Sequence, residues 1–483
     1  MKKTFYITTT LPYVNASPHV GHALEFVRAD VLARYKKIMG YDVFFNTGTD
    51  EHGQKLYEAA KEMKLTPQEY VDKNSQIFRD LLPTLGILKD VHFIRTTDLH
   101  HVKAAQDLWN LVYENGFIYK KKYQAKYCVG CELEKTDSDL IKGKCPDHPN
   151  KDIKKIDEEN YFFKFSKFQS TLLDFYGSNK DFVLPSSRFN EIKKFVEKGL
   201  KDFSISRQKS KMSWGVPVPH DEDHVMYVWF DALANYISTL GWPEDKNNFK
   251  KYWIEGTPTQ YCGQDNLRQQ SAMWQAMLFA AKLPNSSKII VNGFVTGENG
   301  VKMSKTLGNT IDPIKLIDYY GGESLRYFVV RHIHPWGGSP MTYETFHDVY
   351  TANLVNGLGN TVSRLLTMTQ KYMSSELIIN DLEYDKEWVK AMNDYRFDLA
   401  CDVIWDKVSK LDQMISETEP FKLIKTDKQK AIGLLSSYIN ELASIAKMLE
   451  PILPITSIKI LESIKENKKP ESLFVRKTLL NRD

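Results

Sequence analysis

Two short basic motifs stand far apart in the chain: Pro18-His19-Val20-Gly21-His22 near the start and Lys302-Met303-Ser304-Lys305-Thr306 in the middle. Cations at a loop-to-helix transition suit a polyphosphate, because a helix N-terminus offers unpaired N–H groups and the positive end of the macrodipole. His19 and His22 lie three apart and so project from one face of a helix start. Gly21 leaves room for a ligand to lie close to backbone. Lys302 and Lys305 sit in a stretch with Gly297, Gly300 and Gly308, a loop able to close over phosphates and reopen. One at a time, the histidines read equally as caps or core residues and the lysines as a solvated loop. A second constellation, Cys128-Val129-Gly130-Cys131 and Cys145-Pro146-Asp147-His148, gives C-x-x-C, thirteen residues, then C-x-x-H. Three thiolates and one imidazole so spaced supply a closed, structural tetrahedral zinc site. A disulfide is the competing reading, and a catalytic zinc with water as fourth ligand a third.

These residues must be positioned by alternating strands and helices. Residues 5–9 read as a buried strand. Val20, Leu24, Val27, Val31, Tyr35 and Ile38 recur every three or four positions and predict a helix over Val20–Ile38, stopped by Gly40. Residues 42–46 form the next strand, with Thr47-Gly48-Thr49-Asp50-Glu51-His52-Gly53 at its carboxyl end. Strand–helix–strand order predicts a parallel sheet with a right-handed crossover, in which ligands bind beyond the strand ends, where Asp50 and the turn before His19 should meet. From 116 to 214 the composition shifts to the cysteine cluster, aromatic strands (161–165) and lysine-rich stretches. Strand signals resume at 226–230, 259–262 and 289–294, and from about 342 the pattern is helical, over 353–371, 385–415 and Lys428–Leu449. The expected organisation is α/β: a split Rossmann-like nucleotide-binding domain with its first half at 1–115, a zinc-binding insert at 116–224, its second half at 225–341, and a C-terminal α-helical bundle at 342–483.

The paired basic motifs, in this order, resemble the HIGH and KMSKS signatures of class I aminoacyl-tRNA synthetases. The residues around them narrow the resemblance to the methionyl branch, over nearly the whole chain. It implies activation of methionine with ATP to methionyl-adenylate and pyrophosphate, then transfer to the 3′-terminal adenosine of tRNA(Met), initiator tRNA included. His19, His22, Lys302 and Lys305 would be catalytic; Gly21, Gly263 and Asp265, with the two lysines, would bind ATP and its Mg2+. Methionine needs an apolar, polarisable slot and an anion for its ammonium. By position, Leu11, Tyr13, Trp229, Ala232, Tyr236, Gln270 and Trp274 would line that slot, with Asp50 on the ammonium. The cysteine–histidine knuckle, Cys128, Cys131, Cys145 and His148, matches the family's Zn2+ site residue for residue. The insert is too short for the large editing domain of the isoleucyl, valyl and leucyl relatives. In the helical region Asn360 and Arg364, four apart, match the family's anticodon-reading pair, with Phe421 as the stacking aromatic. The chain departs from the family pattern at Gln264 (usually Lys), Gln270 (often His), Leu233 (often Pro), Thr306 (Ser) and Phe421 (Trp).

The bulk numbers agree with this reading and exclude others. A chain of 483 residues predicts two to four domains, and 42% hydrophobic with 26% charged residues is ordinary for a globular protein. A net charge of +4 permits RNA binding through local patches without arguing for it. No apolar run approaches a bilayer span, the start is too short and threonine-rich for a signal peptide, and five cysteines make no disulfide framework. A cytoplasmic protein with no membrane partner is expected, and a monomer, since no oligonucleotide-binding appendage follows the bundle. The alternatives are another class I synthetase (the cysteinyl enzymes also use zinc), a nucleotidyltransferase without a tRNA role, and a zinc-dependent nucleic-acid-binding protein.

Overall fold

The computed structural model describes residues 2–128, 133–134, 140–146, 149–227, 229–297, 300, 310–373, 377, 379 and 382–480. Its centre is a parallel sheet of six strands: β1 (Thr4–Thr9), β2 (Asp42–Thr49), β3 (His92–Arg95), β4 (Val183–Leu184), β5 (Pro258–Cys262) and β6 (Lys288–Val291). They lie in the order β3-β2-β1-β5-β6-β4. Phe5, Tyr6, Ile7, Thr8 and Thr9 are all buried, as expected of a central parallel strand covered on both faces. The direction of winding reverses between β1 and β5, which pair in register from Tyr6↔Pro258 to Thr9↔Tyr261. A crevice therefore opens beyond their carboxyl ends, the usual ligand position in such sheets.

Helix α1 (Val20–Ile38) follows β1, has the bounds its periodicity predicts, and buries Val20, Leu24, Val27, Val31 and Tyr35. Two charged residues are buried with them. The Arg28 guanidinium donates to Asn292 Oδ1 (3.2 Å) and to the carbonyls of Val329, Ile333 and Pro335. Asp30 pairs at 2.7 Å with Arg326, on α2 (Gly322–Arg331), both side chains being fully buried. Arg326 also donates to the carbonyls of Leu85, Pro451 and Ile452, so one guanidinium ties α1, α2 and the C-terminal region together. Asp30 also accepts from Arg34 Nε at 2.8 Å, so removing Arg326 would leave the buried carboxylate one cation instead of two, a loss at or below the about 3–5 kcal/mol of a buried pair broken outright.

Within the 116–224 stretch, Ile118–Cys128 and Ile153–Phe163 pair antiparallel along their whole length, from Ile118↔Phe163 to Cys128↔Ile153. The same stretch supplies β4, which pairs with β6 in the central sheet. The helical region consists of a continuous run over 343–372, wide-turned (π) at Tyr350–Gly359 and ending as α3 (Asn360–Tyr372), then α4 (Lys386–Asn393), α5 (Phe397–Thr418), α6 (Lys428–Leu449) and α7 (Pro454–Lys465). Its core is continuous with that of α1 and the sheet.

Three segments differ from their sequence reading, the first being the strand expected over 289–294, which ends at Val291. The helix expected over 385–415 is broken, because Tyr395 takes a positive φ of 58° and turns the chain between α4 and α5. The strand expected over 226–230 ends at Met226, where the Phe230 N–H bonds back to Tyr227 O (2.9 Å) and starts a helical turn over Trp229–Ala232. Among the described residues no helix is long and apolar enough to cross a membrane.

Candidate functional site

Loops from the carboxyl ends of β1, β2 and β5 converge on the crevice. The Asp50 N–H bonds Pro12 O (2.9 Å) and the Val14 N–H bonds Asp50 O (3.3 Å), so the Asp50 loop and the segment before His19 meet as the topology predicts. His19 caps α1, its Nδ1 accepting the Gly21 N–H (3.1 Å), while His22 Nδ1 accepts the His19 N–H (3.2 Å). The rings stack with centroids 3.8 Å apart. With each Nδ1 lone pair taken by backbone, a neutral ring carries its proton on Nε2 and presents a donor. Burial, then the neighbouring His19, push the His22 imidazole well below its ordinary pKa, so it is neutral at pH 7. A Cβ on Gly21 would lie 2.9 Å from His19 Cε1; only glycine lets that ring fold over the helix end. The capping and phosphate-facing readings of this pair are thus compatible.

On the opposite wall Gly263, Gln264, Asp265 and Asn266 form a tight turn after β5. A Cβ on Gly263 would meet Asp265 Oδ1 at 2.7 Å, so the glycine admits the carboxylate, and Asp265 is exposed. Glu25, on α1, accepts the Thr10 N–H at 2.7 Å. Burial, reinforced by Asp265, raises its carboxyl to about 8.

Beneath the crevice lies a pocket lined by Leu11, Asp50, Trp229, Ala232, Tyr236 and Gln270, six of the eight residues expected to hold an amino acid. The other two stand elsewhere. Tyr13 is a bridge partner of Asp50 rather than pocket lining. Trp274 lies one layer behind, edge-on to Tyr236 with centroids 5.8 Å apart. Leu233, noted in the sequence as a departure from the family pattern, also lines the pocket, as do Thr10, Asn235, Asn266 and Gln269, which the sequence had not given a role. Gln270 sits in a π-helical turn, Gln269–Met273, and both ends of its amide are held: Nε2 donates to Thr10 Oγ1 (2.8 Å) and Oε1 accepts from Gln260 (3.3 Å). Behind it Gln260, Gln275 and Ser286 complete a buried hydrogen-bonded network.

Two acceptors in this pocket, Asp50 Oδ1 and Gln269 Oε1, are buried without a hydrogen-bond partner. Buried polar atoms are rarely left so, and two facing one pocket call for a donor from outside the chain. Asp50 is 5% exposed. Burial first, then the neighbouring Asp231 carboxylate, raise its pKa well above the ordinary value. Asp231 is paired with His52 (Oδ2···Nδ1 2.7 Å), and Glu51 with Arg95 through two bonds of 2.7 and 2.8 Å. The Asp231–His52 pair joins residues 179 apart, and no local signal in the sequence marks it.

In the helical region Arg364 is half-buried and its guanidinium pairs with Asp412 (2.5 Å) and Ser416 Oγ (3.2 Å) on α5. Asn360 is exposed, one turn earlier, and lines a groove of about 510 Å³ between its helix and residues 469–476. Phe421 is 40% exposed, just past α5. Cys128 and Cys145 are both fully buried. Cys131, His148, Lys302 and Lys305 lie outside the described residues.

A sheet reversing at β1/β5, with a histidine-capped helix on one side and a glycine–aspartate turn on the other, describes a nucleotide-dependent activating enzyme. The family model for tRNA synthetases class I (M) matches residues 5–157 and 148–366. Over 483 aligned residues the chain is 40% identical to a methionine--tRNA ligase of Caldanaerobacter subterraneus subsp. tengcongensis, covering 96% of this chain and 74% of that protein. It is 37% identical to that of Rickettsia bellii, covering 98% and 95%. The solved structure of Mycobacterium tuberculosis methionyl-tRNA synthetase in complex with methionyl-adenylate superposes with a TM-score of 0.86 at 32% identity, covering 95% of this chain and 93% of that one. The chain belongs to the methionine--tRNA ligase family of class I tRNA synthetases.

Proposed function

We propose that this protein joins methionine to tRNA(Met): it forms methionyl-adenylate and pyrophosphate from methionine and ATP, then passes the methionyl group to the 3′-terminal adenosine. The observation that carries the pocket assignment is the unpartnered Asp50 carboxylate oxygen, buried in a slot walled by Trp229, Ala232 and Tyr236. An α-ammonium supplies the missing donors and the countercharge, while the apolar walls suit a thioether. With the ammonium held, the methionine carboxylate attacks the α-phosphorus and pyrophosphate departs. No protein nucleophile takes part. The Nε2–H donors of His19 and His22 stabilise the charge that builds on phosphoryl oxygens. Gly21 and Gly263 would give the nucleotide close access to backbone, and Asp265 would accept from the ribose hydroxyls. Lys302 and Lys305 would neutralise the pyrophosphate, and Mg2+ bound with it would supply further charge neutralisation.

The 116–224 stretch is read as a zinc-bearing insert in a split Rossmann-like domain. Cys128 and Cys145, both buried thiols, fit half of the donor set that Cys131 and His148 would complete. Such an ion would staple the insert. Asn360, Arg364 and Phe421 are the proposed anticodon contacts, with Arg364 held ready by Asp412. ATP–pyrophosphate exchange against all twenty amino acids, without tRNA, tests the reading: exchange should require methionine, and exchange driven by another amino acid would refute the pocket assignment.

A further inference from the structure

An ammonium brings several N–H donors to one end of the pocket, and the unpartnered oxygen of Asp50 accepts one of them. The other amide side chains on the lining are committed elsewhere, with one exception. Gln270 has its Oε1 on Gln260 and its Nε2 on Thr10 Oγ1. Asn235 donates to Ala232 O (2.6 Å) and accepts from Asn46 (3.4 Å). Asn266 donates to Asp265 Oδ1 (3.5 Å) in the turn after β5. Gln269 is the exception: its Oε1 is buried and accepts from nothing in the chain. Gln269 and Gln270 open the same wide turn, Gln269–Met273, and both line the pocket. Such π-type irregularities recur at functional sites. Here the turn presents one amide pinned at both ends beside another whose acceptor is free.

We propose that Gln269 is a second ammonium-binding residue: its Oε1 and Asp50 Oδ1 each accept one N–H of the methionine α-ammonium, and the pair makes the pocket reject acids that lack the amine. The inference rests on the reading of this pocket as a methionine site. The chemistry of the occupant supports it. At neutral pH the ammonium carries every strong donor that methionine has, since its sulfur and carboxylate only accept, so an orphaned acceptor on this wall has no other group of the substrate to pair with. The pocket encloses about 280 Å³, counting its open mouth, the scale of one amino acid, so acceptors on its wall meet a single occupant. A neutral amide also suits the second position. It adds an acceptor without setting another negative charge in the same buried site as Asp50. An acid without the amine leaves both oxygens buried and unpaired, and a site built on paired hydrogen bonds rejects such an analogue more strongly than an apolar slot rejects a wrong shape.

Pyrophosphate exchange, titrated in methionine and in ATP, is measured for the parent protein, Gln269→Met, Asp50→Asn and the double variant. Gln269→Met keeps the length of the side chain and removes its acceptor. It should raise the methionine KM by roughly tenfold to 150-fold, the worth of a hydrogen bond to a charged group, and leave the ATP KM within about threefold. Inhibition by the desamino analogue 4-(methylsulfanyl)butanoate, which lacks the ammonium, should weaken by less than about threefold, because that analogue never used the acceptor. In the double variant the loss should fall short of the product of the two single losses, since both side chains hold one group. A methionine KM within about threefold of the parent would overturn the inference. So would analogue inhibition that weakens in parallel with methionine, which would make Gln269 a wall residue only, or an ATP KM that rises in place of the methionine KM, which would give the oxygen to the nucleotide. Should Gln269→Met fail to fold, Gln269→Ala is read on the same quantities. A parent without methionine-dependent exchange, or an Asp50→Asn variant with an unchanged methionine KM, would overturn the pocket reading and this inference with it. That result is distinct from an insensitive Gln269 in an enzyme that needs Asp50.

Discussion

Replacing Asp50 by asparagine should raise stability and lower activity at once. Asparagine keeps the shape and the backbone interactions but carries no charge. The buried carboxylate has its pKa raised well above the ordinary 3.8, by burial and then by Asp231. A group whose folded pKa is raised contributes stability below its unfolded pKa and loses it as pH rises toward the folded one. The parent protein should therefore lose stability as pH climbs above about 3.8, and the asparagine variant should not suffer that loss. Melting temperatures should coincide near pH 3.5 and diverge in favour of the variant toward neutrality. Methionine binding moves the other way. Removing one partner of a buried charge pair costs about 2–5 kcal/mol, or roughly thirtyfold to several thousandfold in methionine KM. The ATP KM should be nearly unchanged, because Asp50 faces the amino-acid pocket. Thermal melts across pH, with pyrophosphate exchange titrated in each substrate, measure all three quantities. A variant less stable at every pH, or a methionine KM within threefold of the parent, would refute the assignment of Asp50 as a strained charge held for a ligand.

Glu25→Gln should behave similarly in stability alone: the parent loses stability between about pH 4.5 and 8, where Glu25 ionises in the unfolded chain but stays protonated in the folded one, so the variant's thermal advantage should grow across that window and level off above it. Arg364→Ala should impair tRNA charging, by the about 1–3 kcal/mol typical of a base contact or roughly fivefold to 150-fold, without affecting pyrophosphate exchange; a parallel fall in both would place Arg364 outside anticodon reading. Cys145→Ser should lower bound zinc, read by metal analysis, and loosen the 116–224 stretch to proteolysis; a full equivalent of zinc in the variant would argue against four protein ligands. Arg326→Met should destabilise the protein by up to about 3–5 kcal/mol, read as a fall in melting temperature, because Asp30 keeps its burial and loses the fully buried one of its two arginine partners, with Arg34 remaining.

Much of the site could be read from spacing. The bounds of α1 follow from a 3.6-residue apolar period ending before Gly40, and α6 from the same rule. The approach of Asp50 to the segment before His19 follows from strand–helix–strand topology, because parallel strands end on one edge. The types of Asp50, Trp229, Ala232, Tyr236 and Gln270 sufficed to place them around one slot once the family pattern was recognised. These are local or pattern-borne properties, written in one stretch of chain at a time. The helix break at Tyr395 was not legible, since an amphipathic period continues across a turn that only a positive φ reveals.

What tertiary structure alone decided are the relations between distant segments. The sequence shows two histidines; the fold stacks them, commits both Nδ1 atoms to backbone and so assigns their protons. It shows Trp274 and Tyr236, but packing sets the tryptophan behind the tyrosine and out of the pocket. It shows Gln270, but only the fold closes both ends of its amide on Thr10 and Gln260. It gives no sign that His52 and Asp231 meet, or that Arg326 closes on Asp30 and the 451–452 carbonyls. The physical reason is common to all of these. Hydrophobic periodicity records which face of an element is buried, whereas a buried charge or amide is tolerable only beside a particular partner, and which partner arrives is settled by how the elements pack.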